Sequence, residues 1–138
     1  MAAIDFGAIN YVAAAVSAVV LMALGFAWYA PFLFGKAWTA ALGRTDEERR
    51  AAGPGPALVA ALADAILTSL VLAIVFQAAG ISGVGAAVLA ALGLAIAFSG
   101  MSIISNGAFE RRPRALVLIN LGYRLAAYPI VGVILAIW

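Results

Sequence analysis

The chain has 138 residues, of which 67% are apolar and 10% charged, with a mean hydropathy of +1.14 and a formal net charge of +2. This composition lies far from that of soluble domains and leaves room for one membrane domain with short loops. Cysteine and histidine are both absent, which excludes disulfides, thiolate or imidazole ligation of zinc and haem, and Ser-His or Cys-His catalysis.

No cofactor or metal is therefore expected, and no enzymatic role. The sequence pI near 9.4 does not imply a nucleic-acid partner, because the cations fall in two short segments beside apolar runs.

Four such runs, Ile9–Tyr29, Ala57–Ala79, Val84–Ile104 and Ala115–Trp138, are each long enough to cross a hydrocarbon core of ~30 Å as a helix rising ~1.5 Å per residue. The predicted fold is all-α, an integral membrane bundle of four transmembrane helices forming a single domain over residues 1–138. Asp5 and the lack of basic residues in Met1–Gly7 do not suit a signal peptide, so the first run is expected to be retained. Lys36, Arg44, Arg49 and Arg50 follow the first run, Arg111, Arg112 and Arg114 follow the third, and neither tail nor Gly80–Gly83 holds a Lys or Arg. By the positive-inside rule the loop 35–56 and the second basic loop are cytoplasmic and both termini lie outside. A bacterial inner membrane, with the lipid bilayer as first partner, is the expected setting.

The first run ends in Trp28-Tyr29-Ala30-Pro31, where proline should kink or stop the helix. Trp28, Tyr29, Lys36 and Trp38 then read as a membrane-interface belt, and Phe32–Leu42 as an interfacial segment. Thr45-Asp46-Glu47-Glu48 has the form of a capping box opening a short helix, closed by the Gly53-Pro54-Gly55-Pro56 linker. In the third run Ala87, Ala91, Ala95 and Ser99 recur every four residues. Such a small-residue ridge suits close helix packing, which predicts a central helix or the seam of a homo-oligomer. Glu110 to Arg114 serves first as a topology signal, with Arg111, Arg112 and Arg114 at the interface, where anionic lipids of the cytoplasmic face would meet them.

Asp64 and Arg124 are the two charges inside the apolar runs. Counted from the basic ends they lie ~10 and ~14 Å deep, and an ionised group there needs protein, water or an opposite charge beside it. A salt bridge between them is the cheapest solution. Thr68 lies one turn from Asp64, Asn120 and Tyr128 one turn either side of Arg124, and Ser99, Ser102 and Asn106 share a face of the third run. These stripes predict a ligand site of Asp64, Thr68, Ser102, Asn106, Asn120 and Arg124. Protonation of Asp64 would then release Arg124 toward an anionic or dipolar group. The competing reading is a salt bridge that fixes helix register in a structural or accessory subunit of a larger membrane complex.

Trp28-Tyr29-Ala30-Pro31 with Phe34-Gly35-Lys36-Ala37-Trp38, then Asn106 to Arg112 and Ile119-Asn120-Leu121-Gly122-Tyr123-Arg124, resemble the signature blocks of the DUF1761 family of small bacterial membrane proteins of unknown function. Ala30 stands where the family pattern has serine. The resemblance implies a four-span fold and no activity, and it directs attention to the aromatic-basic segment and to Asn120–Arg124.

Overall fold

The computed structural model describes residues 3–138, so the position expected for Met1 lies outside the described residues. After a 3-10 turn, Phe6–Ala8, six helices follow: α1 (Tyr11–Trp28), α2 (Gly35–Ala41), α3 (Asp46–Ala52), α4 (Gly55–Ala79), α5 (Val84–Phe109) and α6 (Arg114–Ile137). Of these, α1, α4, α5 and α6 are long and apolar enough to cross a membrane. There is no strand among the described residues. The third span runs five residues beyond Ile104, because the polar Ser105-Asn106 step continues in helix to Phe109.

Local chemistry explains the helix boundaries. The Asn10 side chain accepts from the Ala13 amide at 2.9 Å and opens α1. Thr45 and Glu48 form the capping box that opens α3. Gly53, at φ 66°, ends α3, and Pro56 sits in the first turn of α4, where its missing amide is harmless.

The central helix is α6, not the third span as the small-residue ridge suggested: α6 packs against α1, α2 and α5 and touches α4, whereas α4 packs chiefly on α1. The spans thus stand in the order α4, α1, α6, α5. Ala87, Ala91 and Ala95 are buried within the chain, and a Cβ on Gly132 of α6 would lie 2.9 Å from the Ala87 carbonyl oxygen and 3.2 Å from the Ala91 Cβ. That ridge is consumed by the α5–α6 contact, so it is not the seam of an oligomer.

In α5 the stretch Ala95–Gly100 is π-helical. Its cause lies in two close contacts with α6 that are one residue out of α-helical phase. Before the π turn the buried line is Ala87, Ala91, Ala95; after it the buried positions are Gly100 and Gly107. Gly107 meets Val117 so closely that a Cβ would lie 2.6 Å from a Val117 methyl. Twelve positions separate Ala95 and Gly107, one more than three α-helical turns hold, and the π turn absorbs the surplus residue.

At one end of the bundle all four spans share a core that includes Leu72, Phe76, Ala87, Ala91 and Val131. The Asn10 side-chain amide donates to the Trp138 carbonyl at 3.4 Å, so α1 begins where α6 ends. At the opposite, basic end α4 behaves differently: residues 55–63 are exposed, and its buried positions begin at Ala65. A cleft opens there.

Candidate functional site

The cleft has a volume of about 560 Å³. Leu58, Ala61 and Asp64 of α4 form one wall, Ile103 of α5 contributes to the other, and Met22, Gly25 and Phe26 of α1 with Asn120, Tyr123 and Arg124 of α6 lie between them.

Asp64 and Arg124 meet as their shared depth predicts. The Arg124 guanidinium donates through Nη1 to Asp64 Oδ2 at 2.8 Å. The pair is not sealed in protein: the two side chains keep 25% and 39% of their surface exposed, Arg124 and Asp64 respectively. This leaves Asp64 Oδ1 and the remaining guanidinium N–H groups as candidate partners for a guest.

Beside the pair stands an aromatic group built from both ends of the chain. The Tyr29 hydroxyl donates to Asn120 Oδ1 at 2.9 Å, and Trp28 Nε1 donates to the Ile119 carbonyl at 3.0 Å. The Tyr123 hydroxyl donates to the Leu21 carbonyl at 3.3 Å. The Tyr29 ring lies 5.7 Å from Tyr123 and 5.3 Å from Trp38, and the Arg124 guanidinium lies 5.7 Å from the Tyr123 ring centre. Trp28, Tyr29 and Trp38 thus make internal contacts while each stays half-buried. The exposed side chains at this level are Phe32, Leu33, Phe34 and Lys36, in the turn after α1 and the start of α2.

Glycines make this convergence possible. A Cβ on Gly35 would lie 2.3 Å from the Tyr29 carbonyl oxygen, so α2 can fold back beneath α1 only with glycine there. Gly122 offers the space in which Trp28 lies, 3.1 Å from where a Cβ would stand. The pairing of Trp28 with Ile119 and Tyr29 with Asn120 puts the end of α1 level with Asn120. Arg124 is one turn, ~6 Å, inside that end. The ~14 Å counted along α6 is thus not its distance from the nearest helix end, because α6 extends beyond the shorter α1.

Of the six residues expected to form a ligand site, Asp64, Asn120 and Arg124 line the cleft. Thr68 is half-buried one turn away and does not line it. Ser102 and Asn106 are exposed and pair with each other, Asn106 Nδ2 donating to Ser102 Oγ at 3.5 Å. The π turn is the reason: it rotates the following helix by one residue, so that Ile103 and Gly107 face inward where α-helical phase would place Ser102 and Asn106. Ser99, within the π turn, bonds Tyr128 at 2.8 Å instead. Tyr123 was legible as part of the signature block, whereas Gly25 and Ile103 carry no sequence signal of a site. No cluster of residues able to hold a metal ion is found among the described residues.

The separated sequence blocks thus assemble one structure: residues 28–38 and 119–124 interlock around the ion pair, and Gly107 fixes the α5–α6 hairpin. The family described as a protein of unknown function, DUF1761, matches residues 12–136. The chain belongs to the DUF1761 family. No curated protein and no solved structure matches it. The DUF1761 match covers all four spans and both interlocking blocks, but it brings no activity with it.

Proposed function

We propose that this DUF1761 protein is an intramembrane binding module of the bacterial inner membrane that holds a small amphiphile with its polar head at Asp64 and Arg124. The observation that carries the reading is that the ion pair lines a cleft of about 560 Å³ instead of being packed dry. Most of the lining is apolar, as a guest with a hydrocarbon part requires, and the polar groups converge at one spot. A head carrying both an acceptor and a donor suits them best, with Arg124 donating to it and Asp64 accepting from it. Access is lateral, between α4 and α5, which have little contact with each other.

Binding is favoured over passage across the membrane because the cleft ends where α1, α4, α5 and α6 close on their shared core. The accessory-subunit reading gains no comparable support, since exposed apolar side chains on the spans are what lipid contact demands.

The test is the chemistry of what copurifies. Protein extracted in mild detergent, then denatured and analysed by mass spectrometry, should release an amphiphile in near-stoichiometric amount from the wild type and far less from Asp64→Asn and Arg124→Gln, with helical content unchanged. The same small molecules at the same occupancy in all three would refute the binding site.

A further inference from the structure

A second cavity, of about 510 Å³, lies at the basic end where α5 turns into α6. Its polar lining is Arg111, Arg112 and Arg114, and its apolar lining includes Ile104, Val117 and Leu118. We propose that this cavity is a binding site for one anionic phospholipid, its phosphate held by the arginines and the start of its acyl chain laid along Ile104 and Leu118.

Three observations support it independently of the Asp64–Arg124 cleft. Charge comes first. Arg112 is paired with Glu110, while Arg111 and Arg114 have no carboxylate partner among the described residues. The cavity therefore holds uncompensated positive charge within a single tight turn, where a phosphate can receive several charge-assisted hydrogen bonds.

Backbone conformation is the second. Arg111 has φ 52° and is the one non-glycine residue with positive φ among the described residues; Gly43, Gly53, Gly80 and Gly83 hold the others. It follows a helix end where the Arg112 amide bonds the Gly107 carbonyl at 2.9 Å, a position at which glycine is the unstrained choice. An arginine there accepts strain and keeps a guanidinium at the cavity. The conformation points to a use for the side chain beyond closing the helix.

The apolar walls are the third, and they decide between a lipid and a free anion. Ile104 is 42% and Leu118 65% exposed on the outer faces of two membrane-length helices. Inorganic phosphate gains nothing from such walls, whereas a phospholipid buries its glycerol and upper chain against them. The close Gly107–Val117 approach holds the two helices together at this cavity.

Lipid titrations of the purified full chain in neutral detergent, followed by native mass spectrometry, test this with phosphatidylglycerol against phosphatidylcholine. The wild type should retain one phosphatidylglycerol in preference to phosphatidylcholine. Arg111→Gly relieves the backbone, so it should fold at least as well while lowering that preference about fivefold, and Arg114→Gln should lower it by a similar factor. Arg50→Gln, which removes the same charge from the exposed end of α3, should leave it unchanged, and millimolar inorganic phosphate should not displace the lipid. The proposal is overturned if the wild type shows no preference, if Arg50→Gln lowers it as much as Arg111→Gly, or if inorganic phosphate competes fully.

Discussion

At the residue scale the decisive fact is that Asp64 and Arg124 are bonded and yet open to a cleft. Removing one member of a fully buried pair costs about 3–5 kcal/mol because the other charge is stranded. Here the survivor can be reached by water or lipid headgroups, so the loss should fall to about 1.5–3 kcal/mol, the range of a hydrogen bond to a charged group. Unfolding of Asp64→Ala in mild detergent, followed by tryptophan fluorescence, should show that loss. The double replacement Asp64→Leu with Arg124→Leu should recover much of it, since neither charge is then left alone. Equal melting of the single and double variants would mean that the bond contributes nothing. The pair was legible in the sequence because a charge within an apolar run must find a partner and only two were present at similar depth. The aromatic ring system around it was legible only as interface residues. Nothing in Trp28 or Tyr29 by itself reveals that α1 stops short enough for both to turn inward onto Ile119 and Asn120.

Helix phase is where sequence periodicity and structure part at the scale of the element. The ridge Ala87, Ala91, Ala95 is a close-packing face, as its spacing predicts, but its partner is Gly132 of the same chain. Extending the same period placed Ser102 and Asn106 at the site, and the π turn at Ala95–Gly100 defeats that extension. A π turn leaves little trace in one sequence, since it is set by contacts at both ends of the helix rather than by the residues within it. Deleting the exposed Ala97 takes out the surplus residue, so the segment should become regular α-helix with Ala95 and Gly107 three turns apart. Gly107 would stay against Val117, where the space admits only glycine, and both contacts with α6 would survive. We expect the deletion to cost no more thermal stability than Ala97→Gly, an ordinary helix-propensity change of about 1 kcal/mol. If the deletion costs several times as much as the substitution, the π turn is not there to absorb a surplus residue between the two contacts. Ala91→Leu tests the other half of α5: overpacking against Gly132 should unfold the protein, not yield an intact monomer from an oligomer, as gel filtration with circular dichroism would show.

For the whole molecule, the four-span architecture follows from composition alone, because an apolar run near twenty residues long has few alternatives to a membrane helix. Orientation is a separate matter, set by charge rather than by packing, and the structure adds one constraint to it. The Asn10–Trp138 contact puts the start of the first span beside the end of the last, so residues beside Asn10 and the turn at Ser82 share one end while Glu48 and the arginines of residues 111–114 share the other. Seven basic residues lie at that second end, Lys36, Arg44, Arg49, Arg50, Arg111, Arg112 and Arg114, which predicts that it faces the cytoplasm. The absence of native cysteine allows a clean measurement with single cysteines at the exposed positions Glu48 and Ser82. A membrane-impermeant maleimide added to intact cells should label position 82 and spare position 48 until the membrane is broken. The reverse pattern would invert the protein. It would also move the aromatic group, the open end of the Asp64 cleft and the Arg111 cavity to the outer leaflet together, since one set of helix ends carries all three.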